Sequence, residues 1–218
     1  MKVLKAPQSG SQAGTTAGRN RFGQYERTRA IPVNPRSSAQ GIVRARMSAN
    51  SSAWRALTGA QRAGWAGLGA QITRTDSLGQ SYTQQGNQCY ASINNNRLLC
   101  GLTPVADAPA LTTPLAIITA TVTLTAASLS IAYTLTPLAA ATYLAVFASP
   151  QRSAGRSFEG DFRFVKLSTA AQASPLIALS EYTAKFGVPV LGNRIFFSLV
   201  TLTLGFESGA LITSAVVA

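Results

Sequence analysis

The sequence predicts an α+β fold: an extended N-terminal arm, a small helical region, then antiparallel strands. Three observations predict it. Residues 1–100 hold thirteen of the nineteen Lys and Arg but only two of the seven acids, Glu26 and Asp76. Nearly all of the +12 net charge therefore lies there, because residues 101–218 hold six bases against five acids. The hydrophobic period changes from 3.6 to 2 across a stretch punctuated by Pro104, Pro109 and Pro114. The first 36 residues carry neither period. A basic half joined to a near-neutral half implies one part that docks on something acidic and one part that folds as a scaffold.

Residues 1–36 read as an extended basic arm. Gly10, Gly14, Gly18 and Gly23 punctuate it, and Pro32 and Pro35 push the residues before them toward extended geometry. No apolar run is long enough to build a core, so the arm alone is expected to be disordered. Within it Arg19, Arg21, Arg27 and Arg29 are interleaved with Phe22 and Tyr25, and Arg36, Arg44 and Arg46 extend the series. Guanidinium groups beside aromatics suit phosphates and single strands. They equally suit an arm threaded over carboxylates, with an aromatic filling a pocket. Punctuated charge with prolines favours protein docking over a genome-condensing tail, and over an unbound solvated tail. These nine residues are the candidate partner-binding set.

Residues 37–102 read as helical. Ser37 or Ser38 caps a first helix through Ile42, Val43, Met47 and Trp54. Thr58 and Gln61 have capping-box spacing and start a second, whose buried face is Gln61, Trp65, Leu68 and Ile72. Arg44, Arg55 and Arg62 fall on solvent sides. Gly64, Gly67 and Gly69 each weaken that helix by up to about 1 kcal/mol, or permit close packing. Residues 73–83 read as a loop turning at Asp76-Ser77-Leu78-Gly79. A third helix over 84–100 buries Cys89, Ile93 and Cys100, although Asn94-Asn95-Asn96 forms helix poorly. On one helix the two cysteines lie roughly 16 Å apart, too far for a disulfide.

Residues 103–114 read as a linker and 115–218 as a sandwich domain. Candidate strands are 116–125, 129–136, 142–148, 161–167, 194–202 and 210–217, with a short helix or irregular crossover over 174–186. Several short strands separated by turn signals predict a β-sandwich of the immunoglobulin or fibronectin-III kind. Leu115 to Leu135 is broken by Thr and Ser and reads as two strands, not a membrane span. No apolar run follows Met1-Lys2-Val3-Leu4-Lys5, so no signal peptide is expected.

The residue inventory argues against an enzyme. There is no histidine, which removes the commonest general base and metal ligand. Gly-x-Ser-x-Gly is absent. Glu159 and Asp161 flank Gly160 and read as solvated turn acids rather than a glycosidase pair. Neither Gly-rich stretch follows a strand with phosphate-loop spacing. No cofactor and no metal are expected.

Gly18-Arg-Asn-Arg-Phe-Gly-Gln-Tyr25, Arg27-Thr-Arg29 and Pro32-Val-Asn-Pro35 carry a resemblance, as do Trp54-x-x-Leu57-Thr58-x-x-Gln61-Arg62-x-x-Trp65. So do Ser153-Ala-Gly-Arg156 and Tyr182-x-x-Lys185-Phe186-Gly187. Together they resemble uncharacterised phage and prophage-encoded proteins. Those pair a Gly/Arg-rich N-terminal arm and Trp-containing helices with a C-terminal immunoglobulin-like domain. The resemblance covers most of the chain and implies a virion-associated structural role, with no catalytic residues to transfer.

The expectation is a non-enzymatic bacteriophage virion protein, made in the bacterial cytoplasm, that anchors through its arm and helices to an acidic capsid, decoration or connector lattice. Its partners would be copies of itself and other virion proteins, with no membrane. The alternatives are a nucleic-acid-binding protein with the arm on phosphates, or a surface adhesin using the loop from Gln151 to Phe158.

Overall fold

The computed structural model describes residues 9–20, 23–31, 33–34, 36–75 and 79–218. They divide into two compact units, residues 1–44 and 45–218. Four α-helices and several antiparallel sheets make the chain α+β, as the two hydrophobic periods predict.

The N-terminal unit differs from the extended-arm expectation. Strands β1 (Gly10–Gln12), β2 (Thr15–Asn20) and β3 (Gly23–Thr28) form an antiparallel meander in the order β1-β2-β3. A two-residue connection joins β1 to β2 through Ala13, at φ 51°, and Gly14. Thr, Gly and Ser give these strands no apolar alternation, which hides them from a search for hydrophobic period. Among the described residues from Ser9 to Arg44, none is buried. Pro32 and Pro35 lie outside the described residues.

Helix α1 spans Ser38–Ala56, and Ser37 caps it, its hydroxyl accepting from the Gln40 N–H at 3.3 Å. Helix α2 (Gly59–Gln71) starts at the predicted capping box: Thr58 Oγ1 accepts from Gln61 N–H, and Gln61 Oε1 from Thr58 N–H at 2.9 Å. Trp65 and Leu68 are buried on its predicted face, whereas Arg44, Arg55 and Arg62 are exposed. Residues 73–83 are not a plain loop. Strands β4 (Thr73–Thr75) and β5 (Ser81–Thr83) pair as a hairpin, their Thr, Arg, Ser and Tyr suiting an exposed ribbon. The predicted turn residues Asp76, Ser77 and Leu78 lie outside the described residues.

Helix α3 (Gly86–Leu99) is the hub of the larger unit, and its three asparagines explain themselves there. Buried Asn94 accepts from Val105 N–H at 2.9 Å and donates to Val105 C=O at 3.1 Å. Asn95 accepts from Asn50 of α1 at 2.9 Å. Asn96 donates to Gly205 C=O at 2.9 Å. Each spends helix propensity on a tertiary bond. Close approach also dictates glycine. A Cβ on Gly69 would sit 2.5 Å from Gln84 C=O, and one on Gly86 would sit 2.9 Å from the Ala66 nitrogen.

The 103–114 segment is irregular, as prolines require, but it is not a free linker. Trp65 donates its indole N–H to Ala106 C=O at 2.7 Å, Gln61 donates to Asp107 at 3.0 Å, and Val105 and Ala108 pack on the Trp65 cluster. That cluster joins Trp65, Leu68, Cys89, Tyr90, Ile93 and Phe206, with Tyr90 edge-on to Trp65 at 5.2 Å. Cys89 and Cys100 are free and buried, as the sequence reading has them, and burial pushes both thiols up.

The remaining strands are β6 (Ala120–Leu124), β7 (Leu129–Tyr133), β8 (Thr142–Ala148), β9 (Arg163–Leu167) and β10 (Leu176–Ile177). Helix α4 (Leu179–Phe186), β11 (Arg194–Thr203), β12 (Phe206–Glu207) and β13 (Leu211–Val216) complete the order. One sheet runs β10-β7-β6. The other runs β12-β11-β8-β9, and β13 also pairs with β11. Each predicted strand is found, but β7 ends at Tyr133, β13 is one residue shorter at each end, and β6 and β9 begin at Ala120 and Arg163. The β6 ladder gives way at Thr119, whose N–H bonds the Thr134 hydroxyl at 3.3 Å. The β9 ladder gives way where Glu159 takes the Gly160 and Asp161 N–H groups. A single apolar core draws Leu129 and Ile131 from the first sheet, Leu144, Val146, Ile195, Phe197 and Leu199 from the second, and Tyr182 from α4. Burying each of these large side chains contributes roughly 1.5–3 kcal/mol.

Helices α2 and α3 and the sheets from β4 onward belong to one unit. Leu99, Cys100 and Leu102 cover Ala145 and Leu202 on the outer face of the larger sheet. Arg97 donates to Leu204 C=O at 3.3 Å, and Arg74 pairs with Glu207.

Candidate partner-binding site

The meander register sorts the predicted site residues onto two faces. Residues paired across a ladder share a face and alternate along each strand. Gly18 pairs with Tyr25 and Thr16 with Arg27 on one face. Arg29, just past β3, extends that ladder by donating its N–H to Gly14 C=O at 2.8 Å. Tyr25, Arg27 and Arg29 therefore line up over a floor of Gly14, Thr16 and Gly18. A Cβ on Gly18 would lie 2.8 Å from the end of the Tyr25 ring, whereas one on Gly14 would meet nothing within 4 Å. Tyr25 lies across the strand with 42% of its surface exposed.

Arg19 pairs with Gln24 and sits on the opposite face, beside the Ala17–Glu26 pair. Arg21 and Phe22 lie outside the described residues. Arg36 adopts φ 47° and donates its N–H to Asn34 at 3.1 Å, and Arg44 donates to the same Asn34 oxygen at 3.2 Å. Arg46 is half-buried on α1. The nine candidates are thus no single patch: Tyr25, Arg27 and Arg29 come together, Arg19 is turned away, and Arg36 meets Arg44 through Asn34. Ile31, Val33, Ile42 and Val43 are exposed among them.

The larger unit spends four carboxylates on its own bases, although residues 45–218 still hold eleven bases against six acids. Glu207 pairs with Arg74, Asp161 with Arg163 at 3.0 Å, and Glu181 with Lys166 at 2.7 Å. Glu159 corrects the solvated-turn reading, because only 5% of its surface is exposed. It accepts from the Asp161 and Gly160 N–H groups, pairs with Arg152, and lies 3.5 Å from Arg156. The Asp161 N–H and the Arg152 guanidinium hold its carboxyl down at about 2. The legible signal was an acid following two arginines, Arg152 and Arg156, within one loop.

Among the described residues, no group of three His, Cys, Asp or Glu could hold a metal ion, and no helix is long and apolar enough to cross a membrane. What the N-terminal sheet offers chemically is guanidinium groups beside one exposed aromatic ring. No protein-family model and no curated protein matches the chain.

Proposed function

We propose that this chain is a non-enzymatic structural protein of a bacteriophage virion, held on an acidic protein lattice by its basic N-terminal region. One observation carries the reading. Residues 1–44 hold eight bases against one acid and none of their described residues is buried, while the carboxylates of the larger unit are mostly spent on its own bases. Such a region gains its order and its neutralisation from a foreign surface. Copies of the chain cannot supply it, since each adds +12. The exposed Ile31, Val33, Ile42 and Val43 beside the arginines favour a protein over a phosphate backbone. The paired sheets around one core are read as an immunoglobulin-like sandwich that faces away from the lattice or packs against neighbours.

The test is co-sedimentation of the full chain with purified phage shells assembled without it, across a salt series. Binding that weakens with salt, and at least tenfold in the Arg19→Ala/Arg27→Ala/Arg29→Ala variant, is the expected result. Failure to bind at any salt sinks the reading. The aligned Tyr25, Arg27 and Arg29 favour a second reading, contact with single-stranded nucleic acid. It requires a gel shift with single-stranded DNA that fades with salt and with Tyr25→Ala.

A further inference from the structure

The loop between β8 and β9 and the loop between α4 and β11 form one rigid end of the larger unit. Gln151 joins them: its Nε2 donates to Val188 C=O at 2.8 Å, and its Oε1 accepts from Val190 N–H at 2.8 Å and Asn193 Nδ2 at 3.2 Å. Its neighbour Arg152 forms a two-way backbone bridge with Arg194, at 2.9 and 2.7 Å. The first loop is then locked from inside by buried Glu159 against Arg152, and Arg156 Nε donates to Phe158 C=O at 2.7 Å. The second is locked by Asn193 N–H on Val190 C=O at 3.1 Å and Gly192 N–H on Val217 C=O at 3.0 Å.

This bracing supports side chains that water disfavours. Phe158 is 73% exposed, Leu191 75%, Val188 58% and Val190 56%. A rigid loop end that displays four large apolar groups has prepaid the ordering cost of binding. The two loops and the residues flanking them hold Arg152, Arg156, Arg163, Lys185 and Arg194 against Glu159 and Asp161, so the end is net positive and a second copy of itself would be repelled.

We propose that this loop end is a second docking surface, separate from the N-terminal sheet. Phe158 is its anchor, and its partner is a foreign protein offering an apolar pocket rimmed by carboxylates. Phe beside Arg is the composition of an interface centre. An anionic bilayer fits less well. Its surface readers carry Trp or Tyr and clusters of four to eight unpaired cations, roughly, whereas here Arg152 and Arg163 are committed to Glu159 and Asp161. Glu159 braces the loop that carries Phe158, pairing with Arg152 and lying 3.5 Å from Arg156.

The inference rests on the virion reading, so the same phage shells are the probe. Wild-type full chain is compared with Phe158→Ser/Leu191→Ser and with Val188→Ser, each checked for an unchanged melting temperature. The expected result is at least tenfold weaker shell binding for the double variant and a smaller loss for Val188→Ser. The slope of affinity against salt should stay that of the wild type. Wild-type binding that both variants retain overturns this inference and leaves the virion reading standing. No wild-type binding removes the virion reading and this inference with it. Capture by vesicles containing one-third phosphatidylserine, lost in the double variant, overturns the protein partner in favour of a membrane.

Discussion

The two units hold their shape by different means. From residue 45 onward, side chains such as Trp65, Tyr182 and Phe197 are fully buried, and polar groups as demanding as Asn94 and Glu159 are satisfied inside. From Ser9 to Arg44 no described residue is buried, and ladder hydrogen bonds are joined by polar side-chain bonds such as Ser11 with Thr16 and by a Tyr-on-Gly contact. A three-stranded sheet without an apolar face is marginal in water. The difference separates a scaffold, whose groups find each other in a core, from a sheet whose side chains stay at the surface, as the proposed docking requires.

The comparison is broken most forcefully from the scaffold side. Trp65→Ala removes the centre of the helical core and its bond to Ala106 C=O, and should cost about 3–5 kcal/mol in urea denaturation. Tyr25 resonances of the meander should not move at denaturant levels where that variant remains folded. A sharper pair lies within α2. Gly67→Ala, with nothing within 4 Å, should stabilise by up to about 1 kcal/mol through helix propensity. Gly69→Ala should reverse that sign and destabilise by about 1–3 kcal/mol, because its Cβ meets Gln84 C=O. Equal effects at both positions would contradict the close packing of α2 on α3.

Glu159 gives a pH test. Its folded carboxyl is held at about 2, below the ordinary 4.5. Its contribution is therefore present above about pH 4.5 and lost as pH falls toward 2. Thermal melts of wild type and Glu159→Gln should differ at pH 7 and converge near pH 2; a gap independent of pH would contradict the buried ion pair. The smallest effect belongs to the docking element. Arg27→Ala/Arg29→Ala should leave global stability within about 0.5 kcal/mol of wild type, since neither side chain has a folded core to support.

What the sequence revealed follows the same division. The α2 capping box, the face of Trp65 and Leu68, the burial of both cysteines and the long strands β8 and β11 were legible because burial writes a period into the chain. The meander was not, because Gly-Ser-Gln and Thr-Thr-Ala-Gly pair through backbone and hydroxyl groups, with no apolar alternation. Ala13-Gly14, a two-residue connection ending in glycine, was the one local hint. The Asn94–Asn96 run was legible as a cost to helix but not as three tertiary bonds, since each partner lies elsewhere in the chain. The burial of Glu159 depends on a loop folding back on Arg152, which no periodicity records. The alignment of Tyr25, Arg27 and Arg29 was within reach of strand alternation, had the segment been read as a strand.

Native-state hydrogen exchange on the full chain, free and bound to phage shells, tests the division most directly. Free in solution, the β2 and β3 amides should exchange with opening free energies near zero while β8 and β11 amides approach the global value. On the shell, β2 and β3 should become protected. Amides of β2 and β3 as protected as those of β11 in the free chain, or unchanged on the shell, would contradict the account.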